Sequence, residues 1–319
     1  MHYRRLGHSG LKVSEISLGS WVTFGGQIDE STAITLMKEA FSQGINFFDN
    51  ADMYAGGQAE IVMGKAIADL PREELVISSK VFWPMSKGPN GRGLSRKHII
   101  EAIHGTLKRL DTDYIDLYFC HRFDPDSPME EVVRAMSDLV HQGKILYWGT
   151  SEWDAAQVMQ AFGTAREFGL IPPSMEQPQY NLFHRKRVED TLMPACRELG
   201  LGLTTFSPLY YGILSGKYND GVPQGSRASL DDYGWIKERI TPQRIEIVKA
   251  LTDVALDMGI TPAQLAIAWI LRRKEVSTVI TGATRLEQLD ENLGASEAYE
   301  KMTELDIDRI FACLGNYQE

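Results

Sequence analysis

Four side chains in this sequence could share one piece of chemistry. Asp49 and Tyr54 stand five positions apart in Ile45-Asn46-Phe47-Phe48-Asp49-Asn50-Ala51-Asp52-Met53-Tyr54, Lys80 closes Ser78-Ser79-Lys80, and His121 follows Phe119-Cys120. Taken singly each has an ordinary explanation: a turn-capping Asp, a loop-packing Tyr, a solvated Lys and a satisfied core His. Together they are complementary. A carboxylate keeps an ammonium charged and oriented, the ammonium acidifies a nearby phenol, and an imidazole donates to an oxygen of the reacting molecule. A free phenol titrates near ~10; a cation about 4 Å away at an effective dielectric of ~20 is worth ~4 kcal/mol, on the order of three powers of ten in acidity before desolvation. The expected chemistry is delivery of a proton to an oxygen by an acidified tyrosine.

For this to work, one fold must bring the four together. Short apolar runs alternate with amphipathic helices along the chain: Ile16–Gly19, Ile45–Asp49, Leu75–Lys80, Ile115–Cys120, Ile145–Thr150, Ser174–Gln177, Gly202–Phe206 and Val276–Thr281. Each is long enough for a buried parallel strand. Eight strands, each followed by a helix, predict a (β/α)8 TIM barrel, in which strand ends converge on one mouth. A doubly wound sheet carries a glycine fingerprint after its first strand, whereas Gly19-Ser20-Trp21 follows here. Helix punctuation agrees. Ser127-Pro128-Met129-Glu130 and Thr261-Pro262-Ala263-Gln264 predict capping boxes with Pro at the first helical position, and Thr284-Arg285-Leu286-Glu287 predicts one without it. Gly143 closes the helix that Ser127 opens. In the first helix Ile34, Met37 and Phe41 share a face and Gly44 ends it.

Two stretches break the alternation. Residues Tyr3–Val13 read as a hairpin closing the barrel bottom. From Ser207 to Ile240 no helical period persists while Gly212, Gly216, Gly221, Pro223 and Gly225 recur, which predicts a structureless flap over a ligand at the active face. With no linker, repeat or low-complexity tract, residues 1–319 are expected to form a single domain.

Composition narrows the function. The formal charge of −10 over 319 residues argues against nucleic acid as a partner. Cys120, Cys196 and Cys313 have neither disulfide nor metal spacing. The start, Met1-His2-Tyr3-Arg4-Arg5, lacks a signal peptide's apolar segment, and no apolar run approaches the roughly 20 residues of a membrane helix. A cytoplasmic protein without membrane insertion is expected. Strand ends without clustered His and Asp ligands set aside a metal-dependent hydrolase.

The tetrad Asp49, Tyr54, Lys80 and His121 resembles that of the aldo-keto reductase superfamily, and the likeness runs over nearly the whole chain. It looks closest to the branch of voltage-gated potassium-channel β-subunits and their bacterial relatives. The motifs carrying it run from Tyr3-Arg4-Arg5-Leu6-Gly7 and Ser20-Trp21-Val22-Thr23-Phe24-Gly25-Gly26-Gln27 through Trp148-Gly149-Thr150-Ser151, Glu176-Gln177, Phe206-Ser207-Pro208-Leu209, Ser215-Gly216-Lys217-Tyr218 and Ser226-Arg227-Ala228-Ser229-Leu230 to Gly282-Ala283-Thr284-Arg285-Leu286-Glu287-Gln288-Leu289.

The resemblance implies an NADPH-dependent carbonyl reductase, with Tyr54 as general acid, Lys80 and Asp49 tuning it and His121 orienting a small carbonyl substrate. It implies nicotinamide against Phe206, its carboxamide on Ser151 and Gln177, and the pyrophosphate gripped by Ser207, Leu209, Gly212, Lys217 and Arg227, with Pro208 also in the cofactor set. Ser20, Trp21, Gln27 and Asp49 join the cofactor set, as do Gly282, Thr284, Gln288 and Asn292. Independently of the family, the helix start at Thr284 offers free N–H groups and a positive dipole end, and Arg285 there suits a 2′-phosphate. Trp21, Phe82, Trp83 and Trp153 are expected to line a fairly apolar substrate pocket. The channel β-subunits typically carry Asn where this chain has His121, which favours turnover here, and Arg where it has Glu152. The resemblance also implies a homo-oligomer, rings of four being common in that branch. The second functional class is a regulatory module holding NADPH as a redox sensor for a membrane partner; the expected absence of an N-terminal channel-blocking extension argues for the enzyme.

Overall fold

The computed structural model describes residues 1–317, and their side chains except those of Asp231 and Asp232. A two-stranded antiparallel hairpin, β1 (Tyr3–Arg5) and β2 (Lys12–Ser14), precedes eight parallel strands. These are β3 (Ile16–Gly19), β4 (Phe47–Asp49), β5 (Val76–Val81), β6 (Ile115–Cys120), β7 (Ile145–Ser151), β8 (Met175–Gln177), β9 (Gly202–Phe206) and β10 (Val276–Thr281). They close a barrel in chain order, with β10 pairing β3. Every apolar run of the sequence therefore became a strand, with ends shifted by at most two residues. The helices are α1 (Glu30–Ser42), α2 (Gln58–Ile67), α3 (Arg96–Leu110), α4 (Met129–His141), α5 (Ala155–Glu167), α6 (Met193–Leu199), α7 (Pro242–Asp257), α8 (Pro262–Leu271), α9 (Leu286–Leu293), α10 (Ala295–Lys301) and α11 (Glu304–Leu314). Among the described residues no single helix is long and apolar enough to cross a membrane.

Side-chain alternation in the strands makes the mouth of the barrel. Successive residues point to opposite faces, so an inward row on each strand runs from an apolar residue at the bottom to a polar one at the top. Phe47 precedes Asp49; Val76 and Ser78 precede Lys80; Leu117 and Phe119 precede His121; Met175 precedes Gln177. The apolar members of these rows pack with Leu6 and Val13 of the hairpin and Ile280 in a small core inside the barrel. The larger core lies between the barrel wall and the helices.

The Thr261 capping box is present, with Thr261 Oγ1 accepting from Gln264 N and Gln264 Oε1 from Thr261 N. Two other expected caps are not. Ser127 Oγ donates to Asp124 Oδ2 at 2.7 Å, so the stronger carboxylate acceptor takes it and Pro128 stands at the helix entry. Before α9, Arg285 occupies the cap position, and Thr284 donates its N–H and hydroxyl to Gln288 Oε1. On α1 the buried face is Ala33, Leu36, Met37 and Ala40, with Ile34 and Phe41 only half-buried beside it. The stretch from Ser207 to Ile240 is not structureless: it folds into short 3-10 turns at Tyr210–Ser215, Arg227–Ser229 and Asp231–Arg239. Tight turns of this kind leave no 3.6-residue period to read.

Candidate active site

Strain concentrates where the strands end. Of seven non-glycine residues with positive φ among those described, six lie in loops after barrel strands: Val22, Ala55, Glu152, Ser207, Tyr210 and Tyr211. L-residues adopt this conformation reluctantly, and such positions cluster at functional sites. These loops surround a cavity of about 840 Å3 at the barrel mouth.

At its floor Lys80 is fully buried and uses three donors. Its Nζ bonds Asp49 Oδ2 and the Asn50 carbonyl, each at 2.7 Å, and Tyr54 OH at 3.2 Å. Asp49 is held in turn by Ser78 Oγ (2.8 Å) and Gln177 Nε2 (3.0 Å), both on its Oδ1. The ring of His121 meets that of Tyr54 edge-on at 5.9 Å. Because Lys80 donates to the Tyr54 oxygen, the phenol's own proton is directed to a partner in the cavity. Asp49, Tyr54 and His121 line the wall, and Lys80 stands behind it.

The electrostatics correct one expectation. The Tyr54 phenol is not acidified; burial first, and the Asp49 carboxylate second, hold it well above its ordinary value, with Arg122 opposing. The reason is compensation: Lys80 forms a tight buried pair with Asp49, so the phenol meets a near-neutral pair and loses its hydration. Burial also pulls the Lys80 ammonium below its ordinary value, against Asp49. His121 is held well below its ordinary value by burial and then by Lys80 and Arg122, so the imidazole is neutral; its Nδ1 is buried without a partner. Tyr54 thus keeps its proton at neutral pH.

The far end of the cavity has the opposite character. Lys217, Arg227 and Arg285 line it together. Burial, then Arg227 and Arg285, pull Lys217 down to about 8. Burial also lowers Arg227, and among the described residues no carboxylate lies within ion-pair distance of either. Arg285 is largely exposed, with only a loose 3.6 Å contact to Glu287. Gly212, at φ 93°, leaves room for Lys217: a Cβ there would stand 2.5 Å from its Nζ. Gln27 Oε1 and Ser226 Oγ, both on cavity-lining residues, are buried without partners. A cluster of confined cations and orphaned polar atoms calls for a large anionic ligand.

Trp21, Ser151, Gln177, Phe206, Ser207, Pro208, Leu209, Gly282, Thr284, Gln288, Asn292 and Trp83 also reach the cavity wall. Ser151 Oγ donates to the Gln177 carbonyl at 3.0 Å, and Asn292 Nδ2 to that of Gly282 at 3.5 Å. Besides Lys80, three expected residues are off the wall. Ser20 is buried, with its N–H on the Asp49 carbonyl. Phe82 stacks edge-on behind Trp83, and Trp153 is buried against Phe123. Phe82 immediately follows β5 and Trp153 follows β7 at one remove, but both are buried in the larger core. Glu152, where the related branch has Arg, bonds Arg187 at 3.0 Å and accepts from Gln179 N at 2.6 Å, so its charge is locally balanced. Sequence reasoning missed Arg122, Tyr211, Trp235 and Arg239 on the wall; only for Arg122 was there a signal, its place beside His121.

A sequence profile described as the Aldo/keto reductase family matches residues 15–314. The chain belongs to the aldo/keto reductase family. Two similar proteins are each named probable voltage-gated potassium channel subunit beta. That of Arabidopsis thaliana is 47% identical over 314 residues, 97% of this chain and 95% of that protein. That of Oryza sativa subsp. japonica is 46% identical over 316 residues, 98% and 96% of the two chains. Within this aldo/keto reductase fold, the uncompensated cations and the proton-bearing tyrosine occupy opposite ends of one cavity.

Proposed function

We propose that this chain reduces aldehydes and ketones to alcohols with NADPH, and that Tyr54 gives the proton. The observation that carries the reading is the convergence of the three Lys80 donors on Asp49, the Asn50 carbonyl and Tyr54 OH. It fixes the phenol at the cavity wall with its proton aimed at an incoming oxygen. Neutral His121, 5.9 Å away ring to ring, is placed to donate to the same oxygen. Asp49 and Lys80 orient the phenol and stabilise the phenolate left after transfer.

The residues present fit the cofactor: the cation cluster matches a dinucleotide's phosphates, and the orphaned Gln27 and Ser226 atoms await polar partners. Bound NADPH supplies the hydride. Phe206, Ser151 and Gln177 would hold its nicotinamide, and Ser207, Pro208, Leu209, Gly212, Lys217 and Arg227 its pyrophosphate. Thr284, Arg285 and the start of α9 would take the 2′-phosphate, with Gly282, Gln288 and Asn292 at the adenosine and Trp21 and Gln27 beside it. Ser20 would act through the turn it anchors.

Steady-state loss of the reduced-nicotinamide absorbance over small aldehydes, methylglyoxal and aromatic aldehydes tests the reading. Turnover that persists in Tyr54→Phe would overturn the tyrosine's role. The names of the two relatives favour a second reading, a regulatory NADPH-holding subunit of a membrane channel. Tight NADPH binding with no turnover on any carbonyl compound would favour it. We also propose a homo-oligomer on the same resemblance; sedimentation at equilibrium decides between one copy and four.

A further inference from the structure

The carbonyl end of the cavity holds a cation that the proton-transfer scheme does not use. Arg122 lines the wall beside His121, and its Nη1 bonds only the carbonyl of His121 itself. A guanidinium carries five N–H donors, so most of its capacity is left without an acceptor among the described residues. Its carbon lies 5.9 Å from the Trp83 ring, which stacks edge-on to His121 at 6.3 Å. The carboxylates on the same wall are engaged elsewhere or distant. Asp49 pairs with Lys80, Glu152 with Arg187, and Glu291 belongs to α9 at the opposite end. Among the described residues no acid pairs with Arg122. Since Lys80 is compensated by Asp49, Arg122 supplies the net charge of this end, and its field reaches Tyr54, Lys80 and His121. Lys217, Arg227 and Arg285 stand at the other end.

We infer that Arg122 selects carbonyl substrates carrying a carboxylate, which its guanidinium binds while Tyr54 and His121 hold the carbonyl oxygen. A guanidinium fork matches a carboxylate in two parallel hydrogen bonds, and Trp83 walls the short hydrocarbon between the two ends of the substrate. With Phe82 and Trp153 off the wall, this end is less apolar than the sequence suggests. The reduction moves two electrons. The carbonyl carbon gains a hydride from NADPH, leaving NADP+; the π pair moves to oxygen, which takes the Tyr54 proton, and solvent reprotonates the phenolate. The product is a hydroxy acid.

The inference rests on the reductase reading, and the test separates the two. With saturating NADPH, succinic semialdehyde and butanal present the same four-carbon aldehyde with and without a terminal carboxylate. Wild type is expected to prefer the former at least about tenfold in kcat/KM, and Arg122→Gln to bring the ratio to about one through KM. Arg122→Lys should keep part of it, which a merely structural role would not do. A ratio near one in wild type, or one unchanged in Arg122→Gln, overturns the inference. If neither aldehyde is reduced, the reductase reading fails and binding decides. Quenching of tryptophan fluorescence by succinate should be about tenfold weaker in Arg122→Gln, and absent or unshifted quenching overturns the inference on its own.

Discussion

The two ends of the cavity solve different problems. At the floor the buried ion pair is answered by the protein: Lys80 has three partners and Asp49 accepts from three donors. At the flap end Lys217 and Arg227 are confined together without a described counterion. A site that must hold atoms in place at the moment of reaction is finished in advance. One that must capture a charged molecule keeps part of its electrostatics unsatisfied until the ligand arrives.

The sharpest way to break this contrast is to remove a single atom from the finished end. Tyr54→Phe should lower kcat by about 10^2–10^4-fold while NADPH affinity changes little, because the lost hydroxyl serves proton transfer alone. Fluorescence titration beside steady-state kinetics measures both halves, and a matching loss of affinity would merge the two ends into one. At the unfinished end the pattern should invert. Lys217→Met is expected to weaken NADPH by about 10–100-fold, the worth of one charge-assisted contact, with kcat at saturation largely kept. Relief from its cationic neighbours should also make binding stronger at pH 6.5 than at pH 9, since Lys217 loses its proton near pH 8. A flat pH profile would remove Lys217 from the anion site.

A smaller effect is expected at Arg285, which is exposed to solvent that screens it. Arg285→Ala should narrow the preference for NADPH over NADH by about tenfold at most; equal weakening of both cofactors would show that Arg285 does not read the 2′-phosphate. The smallest effect concerns the carboxyl behind the floor. Asp52 is fully buried, both its oxygens lack partners, and burial followed by Glu60 raises it to about 8. Between its ordinary 3.8 and about 8 the folded chain holds a proton that the unfolded chain releases. Stability therefore falls as pH rises through that window and levels off above it. Asp52→Asn should flatten this fall, raising Tm relative to wild type by a few degrees at pH 9 and little at pH 4.5.

The floor was legible in the sequence because strands impose a period of two. Once Ile115–Cys120 is a strand, His121 must follow it at the mouth, and the same holds for Asp49 and Lys80. The flap was legible only as an absence of pattern. Its 3-10 turns, and the positive φ of Ser207, Tyr210 and Tyr211, depend on what each segment packs against. The Tyr54 titration was misread for a related reason: the sequence pairs the ammonium with a carboxylate but does not show how completely the phenol is buried, and burial outweighs the ammonium. Arg122 went unnoticed because an Arg in a loop is usually solvated, and only the missing acid beside it gives it meaning. Trp153 was misplaced because position near a strand end does not fix which way a side chain turns.

The hairpin under the barrel bears on how the chain is made. Arg4 donates to the carbonyls of Arg273 and Val276, and Ser277 donates to that of Arg5, so the hairpin ahead of the barrel bonds to its last strand. On a ribosome, Leu6 and Val13 have no barrel to plug until β10 has emerged. The nascent protein must carry its own stopper unseated while the strands between are made, and sealing the bottom belongs with the final closure of the ring.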